Sequence, residues 1–170
     1  MHGPALHSMT AVGIDPGIAS VGYGVVQSLG GKLELVAHGC IETKATDAMG
    51  PRLALIYHAI RSILDQYAPD VGSIEELYFF RNVSSALPVA EARGVIRLAF
   101  EEKNIRLLEY SPNAIKKAVT GTARADKYQV QEMVRVLLGM TEIPKPDHAA
   151  DALAAAICTL HSISPAGYTF

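Results

Sequence analysis

Three acids and a histidine stand where the sequence leads one to expect chemistry. Asp15 ends a short apolar run, Val12-Gly13-Ile14, and is followed at once by Pro16-Gly17, a turn small enough to let a phosphate approach the backbone. Glu75 closes a second apolar run, Val71-Gly72-Ser73-Ile74. Buried strands seldom carry an ionisable group in line with the core unless it is paired or binds a metal. Taken singly, each reads more readily as a surface acid at a strand end. His148 and Asp151 lie three residues apart at the start of the last helical segment, so they share one helical face about a turn from each other. Ala149 and Ala150 between them let that face lie close to a sheet. Alone, His148 reads as a hydrogen-bonded core histidine, and Asp147 reads as an N-cap serving the free N–H groups of the first turn.

The set changes the reading. Two carboxylates about 5 Å apart repel by roughly 3 kcal/mol at an effective dielectric near 20, before any desolvation. Three converging acids therefore require a cation or must take up protons. Hard oxygen ligands favour Mg2+ or Mn2+, and two such ions about 3.5–4 Å apart suit an in-line displacement at a phosphodiester. An imidazole among the ligands moves the preference toward Mn2+. His148 is equally suited to act as a general base or to orient the attacking water.

The elements that must position these groups follow from patterning. Residues 10–15, 19–28 and 32–43 read as strands, with Gly30-Gly31 as a hairpin turn between the second and third. Residues 52–67 place Leu53, Ile56, Ile60, Ile63 and Leu64 at helical spacing. Residues 70–80 and 105–110 read as further strands, and 84–100, 112–119, 127–138 and 147–163 as helices. Strands first, then strand and helix in alternation, predicts an α/β architecture with a mixed sheet flanked by helices, three antiparallel strands and then parallel ones. The helix over 84–100 is apolar around most of its circumference and so needs core on two sides, or core plus a second subunit. Pro88 fits it only within the first turn.

The chain has 170 residues, a length that fits one domain, expected over 9–170 with a loose leader over 1–8. No apolar stretch approaches the ~18 residues needed to span a bilayer, so no membrane is expected. Two cysteines without metal-ligand spacing point to a reducing, cytoplasmic setting. A net charge of −2 argues against a protein that coats nucleic acid indiscriminately. Between Arg81 and Lys127, however, nine basic residues face only five acids, and every carboxylate of the candidate set lies outside that segment. A basic middle beside an acidic site is what holding a phosphate backbone against a metal centre requires.

With these residues in view, the sequence is similar to the RuvC family of Holliday junction resolvases from about Thr10 to Ile163. The similarity rests on Gly13-Ile14-Asp15-Pro16-Gly17, on Ile74-Glu75-Glu76-Leu77-Tyr78-Phe79 with Asn82, on Ser85-Ala86-Leu87 and Ala92-Arg93-Gly94-Val95, on Val119-Thr120-Gly121, on Lys127 with Gln129-Val130-Gln131, and on His148-Ala149-Ala150-Asp151-Ala152-Leu153-Ala154. Their order and spacing are specific where each motif alone is weak. The resemblance implies an RNase H-like fold, a homodimer, and two symmetric nicks across a four-way DNA junction with divalent metal. The family's catalytic acids fall on Asp15, Glu75 and Asp151, with His148 where an aspartate is common. DNA-contacting lysines fall on Lys116 and Lys127, and an aromatic inserted near the junction centre falls on Tyr78. Lys117, beside Lys116, and Arg81, just past the strand, are further candidates for phosphate contact. Branch-migration proteins RuvA and RuvB are the implied partners.

Three rivals follow from the same residues. An actin-like phosphotransferase also opens on a strand with an Asp-x-Gly turn, but it needs a second phosphate loop, and no Gly-x4-Gly-Lys-Ser/Thr run is present. Another nuclease of the same fold, acting on RNA–DNA hybrid or branched DNA, would share the acids. A non-catalytic junction-binding module would gain nothing from three acids facing phosphates.

Overall fold

A computed structural model of the chain describes residues 8–77 and 83–163, with backbone alone for 83–85. The described elements run β1 (Ser8–Asp15), β2 (Ser20–Leu29), β3 (Lys32–Glu42), α1 (Met49–Tyr67), β4 (Val71–Glu75), α2 (Val83–Glu102), β5 (Leu107–Tyr110), α3 (Pro112–Thr120), α4 (Lys127–Leu137) and α5 (Asp147–Ser162). β1, β2 and β3 form an antiparallel meander, and β4 and β5 add in parallel to β1, giving the order β3-β2-β1-β4-β5. This is the expected mixed sheet. The turn between β2 and β3 holds Gly30 and Gly31 at φ 59° and 87°, the left-handed pair that a tight hairpin demands.

Strand alternation sorts the core into two layers. Val12, Ile14, Val21, Val25 and Ile74 pack with Ile56 and Ile60 of α1 and Ile96 and Phe100 of α2. On the opposite face Ala11, Val26 and Val71 pack with α3, α4 and α5 through Ile115, Val134 and Leu153. Both faces are covered, which is why β1 and β4 read as unbroken apolar runs.

Helix α5 sits unusually close to the sheet, because glycines face its small residues. A Cβ added at Gly13 would lie 1.9 Å from the carbonyl oxygen of Ala152, and one at Gly22 would lie 2.0 Å from that of His148. Gly22→Ala therefore pushes the first turn of α5 off β2. The expected result is a loss of about 2–3 kcal/mol of unfolding free energy together with displacement of His148. A urea titration with an unshifted midpoint would refute this.

Three expectations need correction. The strand predicted over 70–80 stops at Glu75, and 76–77 are not strand. Its neighbours end at Asp15 and Tyr110, just before Pro16 and Ser111-Pro112, so the ladder runs out of partners after the Glu76 N–H reaches the Tyr110 carbonyl at 2.9 Å. Pro88 lies beyond the first turn of α2, whose start at Val83 makes it the sixth residue. There its ring nitrogen has no hydrogen to donate to the carbonyl of residue 84, so the helix lacks that bond. Asp147 is the first residue of α5 rather than its cap, a position taken by Pro146. Among the described residues no helix is long and apolar enough to cross a membrane.

Candidate active site

The register of the parallel pair β1 and β4 aligns Ile14 with Ile74. The next residues, Asp15 and Glu75, therefore leave the C-terminal ends of two adjacent strands side by side. Alternation puts both on the face that α5 covers, with Ala11 and Val71. The first turn of α5 crosses β2 at this end and brings His148 and Asp151 over the same edge.

His148 is not the core histidine its surroundings in sequence suggest, because its side chain is 49% exposed. Its Nδ1 lies 2.6 Å from Oδ2 of Asp15. Asp147, released from capping by Pro146, whose carbonyl accepts from the N–H groups of Ala149 and Ala150, turns its carboxylate toward α4. There it accepts hydrogen bonds from Lys127 Nζ at 3.0 Å and from the buried Gln131 Nε2 at 3.2 Å. Lys127 Nζ also lies 3.5 Å from Oδ2 of Asp151.

The acids perturb one another strongly. Glu75 is pushed up to about 7, first by burial and then by the charges of Asp15 and Asp151, against the opposing pull of Arg93 and Lys116. Burial also raises Asp15, offset in part by the hydrogen bond and charge of His148 and by Lys127. Asp151 is raised by burial and by Asp15, with Lys127 opposing. Lys127 is itself raised, chiefly by its bond to Asp147, which is lowered in return. A cluster of acids raised by burial and by one another's charge is short of positive charge.

Two hollows meet at Glu75. One, of about 190 Å³, is lined by Glu75, Asp151, Lys116 and Lys127, with Pro112 and Ile115 as its floor. The other, of about 300 Å³, is bordered by Asp15, Glu75, Val89 and Arg93. Larger hollows of about 520 and 460 Å³ lie elsewhere and contain none of these acids. Convergent charge rather than size marks the site. Among the described residues no three ligand side chains are already drawn up around one point as an ion would hold them. One Asp15 oxygen is spent on His148 and one Asp151 oxygen on Lys127. The donor set nonetheless fits a hard divalent cation, because three acids raised by burial and mutual repulsion gain from its charge.

Of the residues singled out in sequence, the fold brings together Asp15, Glu75, His148 and Asp151, with Lys116 and Lys127 beside them. Lys117 is exposed on α3 and does not line either hollow. Tyr78 and Arg81 lie outside the described residues. Two contributors, Gln131 and Arg93, stand in the sequence motifs without an expected role at the site. Arg93 left a signal: it shares a helical row with the buried Ile96 and Phe100, where a charge is out of place unless it is paired.

Acids at the C-terminal ends of two parallel strands in this mixed sheet, faced by a helix N-terminus, define an RNase H-like nuclease. The sequence matches the family model described as crossover junction endodeoxyribonuclease RuvC over residues 11–159, and the chain belongs to that family. It is 46% identical to the crossover junction endodeoxyribonuclease RuvC of Treponema pallidum (strain Nichols) over 157 residues, 92% of this chain and 80% of that protein. The structure of Thermus thermophilus RuvC in complex with Holliday junction substrate is similar at a TM-score of 0.86 and 33% identity, covering 90% of this chain and 93% of that one. The yeast mitochondrial Holliday junction resolvase Ydc2 shares the fold at a TM-score of 0.67 and 16% identity, over 93% of this chain and 82% of its own.

Proposed function

We propose that the cleft around Glu75 hydrolyses the phosphodiester backbone of four-way junction DNA, resolving Holliday junctions by paired symmetric nicks. The observation that carries this is the raised acid cluster sharing one cleft with Lys116 and Lys127 in a chain of this family. Asp15, Glu75 and Asp151, with His148 either as a fourth ligand or as the base, would hold Mg2+ or Mn2+, two ions per site, whose charge would polarise the phosphate and activate water. Burial and mutual repulsion raise all three acids, Glu75 to about 7, and a cation's charge would relieve that repulsion. His148, held by Asp15, is placed to orient the attacking water or accept its proton. Lys127 exchanges its bonds to Asp147 and Asp151 for a phosphate, and Lys116 takes another. Lys117 and Arg81 extend the phosphate track, and Tyr78 stacks on an unpaired base at the crossover.

Two symmetric nicks require two sites. Leu87 and Leu98 of α2 are 57% and 52% exposed, and they favour a homodimer through that helix. RuvA and RuvB are the proposed branch-migration partners. Lys116→Ala and Lys127→Ala are each expected to reduce the slope of log affinity against log salt by about 1 and to weaken cleavage at moderate salt, with an unchanged circular dichroism spectrum. Wild-type cleavage by the double variant would refute the phosphate role.

The reading is tested by cleavage of a labelled four-way junction beside linear duplex and RNA–DNA hybrid, in Mg2+, Mn2+ and EDTA. Paired nicks confined to the junction, and absent in EDTA, are expected. Preferential cutting of the hybrid would move the substrate to RNA, and tight junction binding without cutting would leave only a binding module.

A further inference from the structure

We infer that Arg93 is a positioning residue for the reaction, fixing the last peptide of β4 so that the Glu75 carboxylate enters the cleft in one direction. The inference rests on the assignment of Glu75 to the catalytic cluster. Residue 75 is where the sheet gives out, since β4 ends there and 76–77 follow as irregular chain. The orientation of a side chain at such a point depends on the peptide plane just after it. Both polar groups of that plane are held from different elements. The Glu76 N–H donates to the Tyr110 carbonyl of β5 at 2.9 Å, and the Glu75 carbonyl accepts from Nη1 of Arg93 on α2. Pinning both edges of one peptide fixes ψ of Glu75 and with it the direction of its Cα–Cβ bond.

Arg93 is in turn held rigidly. Its side chain is 7% exposed, and its Nη2 donates to Oε2 of Glu109 at 2.7 Å. Glu109 lies on β5 in register with Ile74, so the guanidinium bridges the end of one parallel strand to the next. The planar fork is suited to such a bridge because both donors point where the geometry sets them, whereas an ammonium offers one rotatable point charge. The other oxygen of Glu109 is taken by Arg97, so two cations share a single carboxylate. Arg93 also borders the hollow that Asp15 and Glu75 line.

The test compares Arg93→Lys, Glu109→Gln and Arg97→Gln in the full chain, with a junction the wild type cleaves. Single-turnover rate, junction affinity in EDTA, the Mn2+ concentration for half-maximal cleavage and the thermal midpoint are read for each. Arg93→Lys keeps the charge and loses the fork. Its rate is expected to fall about 10–100-fold, the range for losing a group that orients a metal ligand. Its Mn2+ midpoint is expected to rise, while junction affinity stays within about twofold. Glu109→Gln, which loosens Arg93 without removing it, is expected to move both readouts in the same direction by less. Arg97→Gln, which leaves the bond to Glu75 in place, should keep the wild-type rate. A purely structural role predicts a lower thermal midpoint with rate and Mn2+ midpoint unmoved, and that result in Arg93→Lys overturns the inference. Should Arg93→Lys fail to fold, an unmoved rate and Mn2+ midpoint in Glu109→Gln overturns it instead. A wild type that cuts no junction refutes the functional assignment itself, a failure distinct from that of the variants.

Discussion

Asp15→Asn is expected to lower junction cleavage by more than about 100-fold, beyond the range for losing an outer-shell partner of a metal ligand, while junction binding in EDTA is preserved or tightened. The substitution keeps the shape of the side chain and an oxygen for the His148 ring, but it removes the charge. Asp15 stands first among the charges that raise Glu75, so its loss lets Glu75 ionise more readily. What the variant site lacks is the carboxylate charge beside the His148 ring. Binding moves the other way because one negative charge facing the phosphates is gone. Single-turnover cleavage and gel-shift titration with the same labelled junction separate the two effects. A variant retaining more than a tenth of the wild-type rate would remove Asp15 from the catalytic set.

Asp15 and Glu75 were legible in the sequence because each closes an apolar run at a strand end, and parallel pairing of β1 and β4 is enough to set them side by side, whereas Asp151 was marked by its spacing from His148 on one helical face. The sheet was legible for the same reason, since an apolar run bounded by glycine or proline admits few alternatives. What sequence could not supply was the partner of each polar group. Asp147 has the composition of a cap, yet Pro146 occupies that position and frees the carboxylate to hold Lys127 and Gln131. Lys127 reads as a phosphate ligand, yet without DNA it lies across Asp147 and Asp151, an internal pairing set by how α4 packs against α5. Arg93 lies eighteen residues from Glu75, and only the placement of α2 against the end of β4 brings its guanidinium to that carbonyl. Local pattern determines the elements, whereas the second layer around the site depends on how they dock.

The Glu75 carboxyl makes the site a source of instability that can be removed by substitution. Its pKa in the folded chain is about 7, against 4.5 for an ordinary glutamate. Below 4.5 it is protonated in both folded and unfolded chains and costs nothing. As pH rises from 4.5 to 7 the unfolded chain gives up this proton while the folded one retains it, so stability falls across that window and stays low above it. Direct conversion gives about 3 kcal/mol, and the partial solvent exposure of the group screens this to about 1–2 kcal/mol. Glu75→Gln is therefore expected to unfold at the same denaturant concentration as wild type at pH 4, but to be more stable by about 1–2 kcal/mol at pH 8 in EDTA. The slope is reduced rather than abolished, since Asp15 and Asp151 are raised in the same sense and remain. Cleavage by the same variant should fall more than about 100-fold. Mn2+ provides the decisive contrast, because a cation that binds only the folded state stabilises it in proportion to its affinity. Wild type should gain stability on Mn2+ addition at pH 8, and Glu75→Gln should gain less, narrowing the gap seen in EDTA. If instead the variant is no more stable than wild type at pH 8 in EDTA, Glu75 is not under the burial and repulsion assigned to it, and the case for a cation-seeking cluster fails with it.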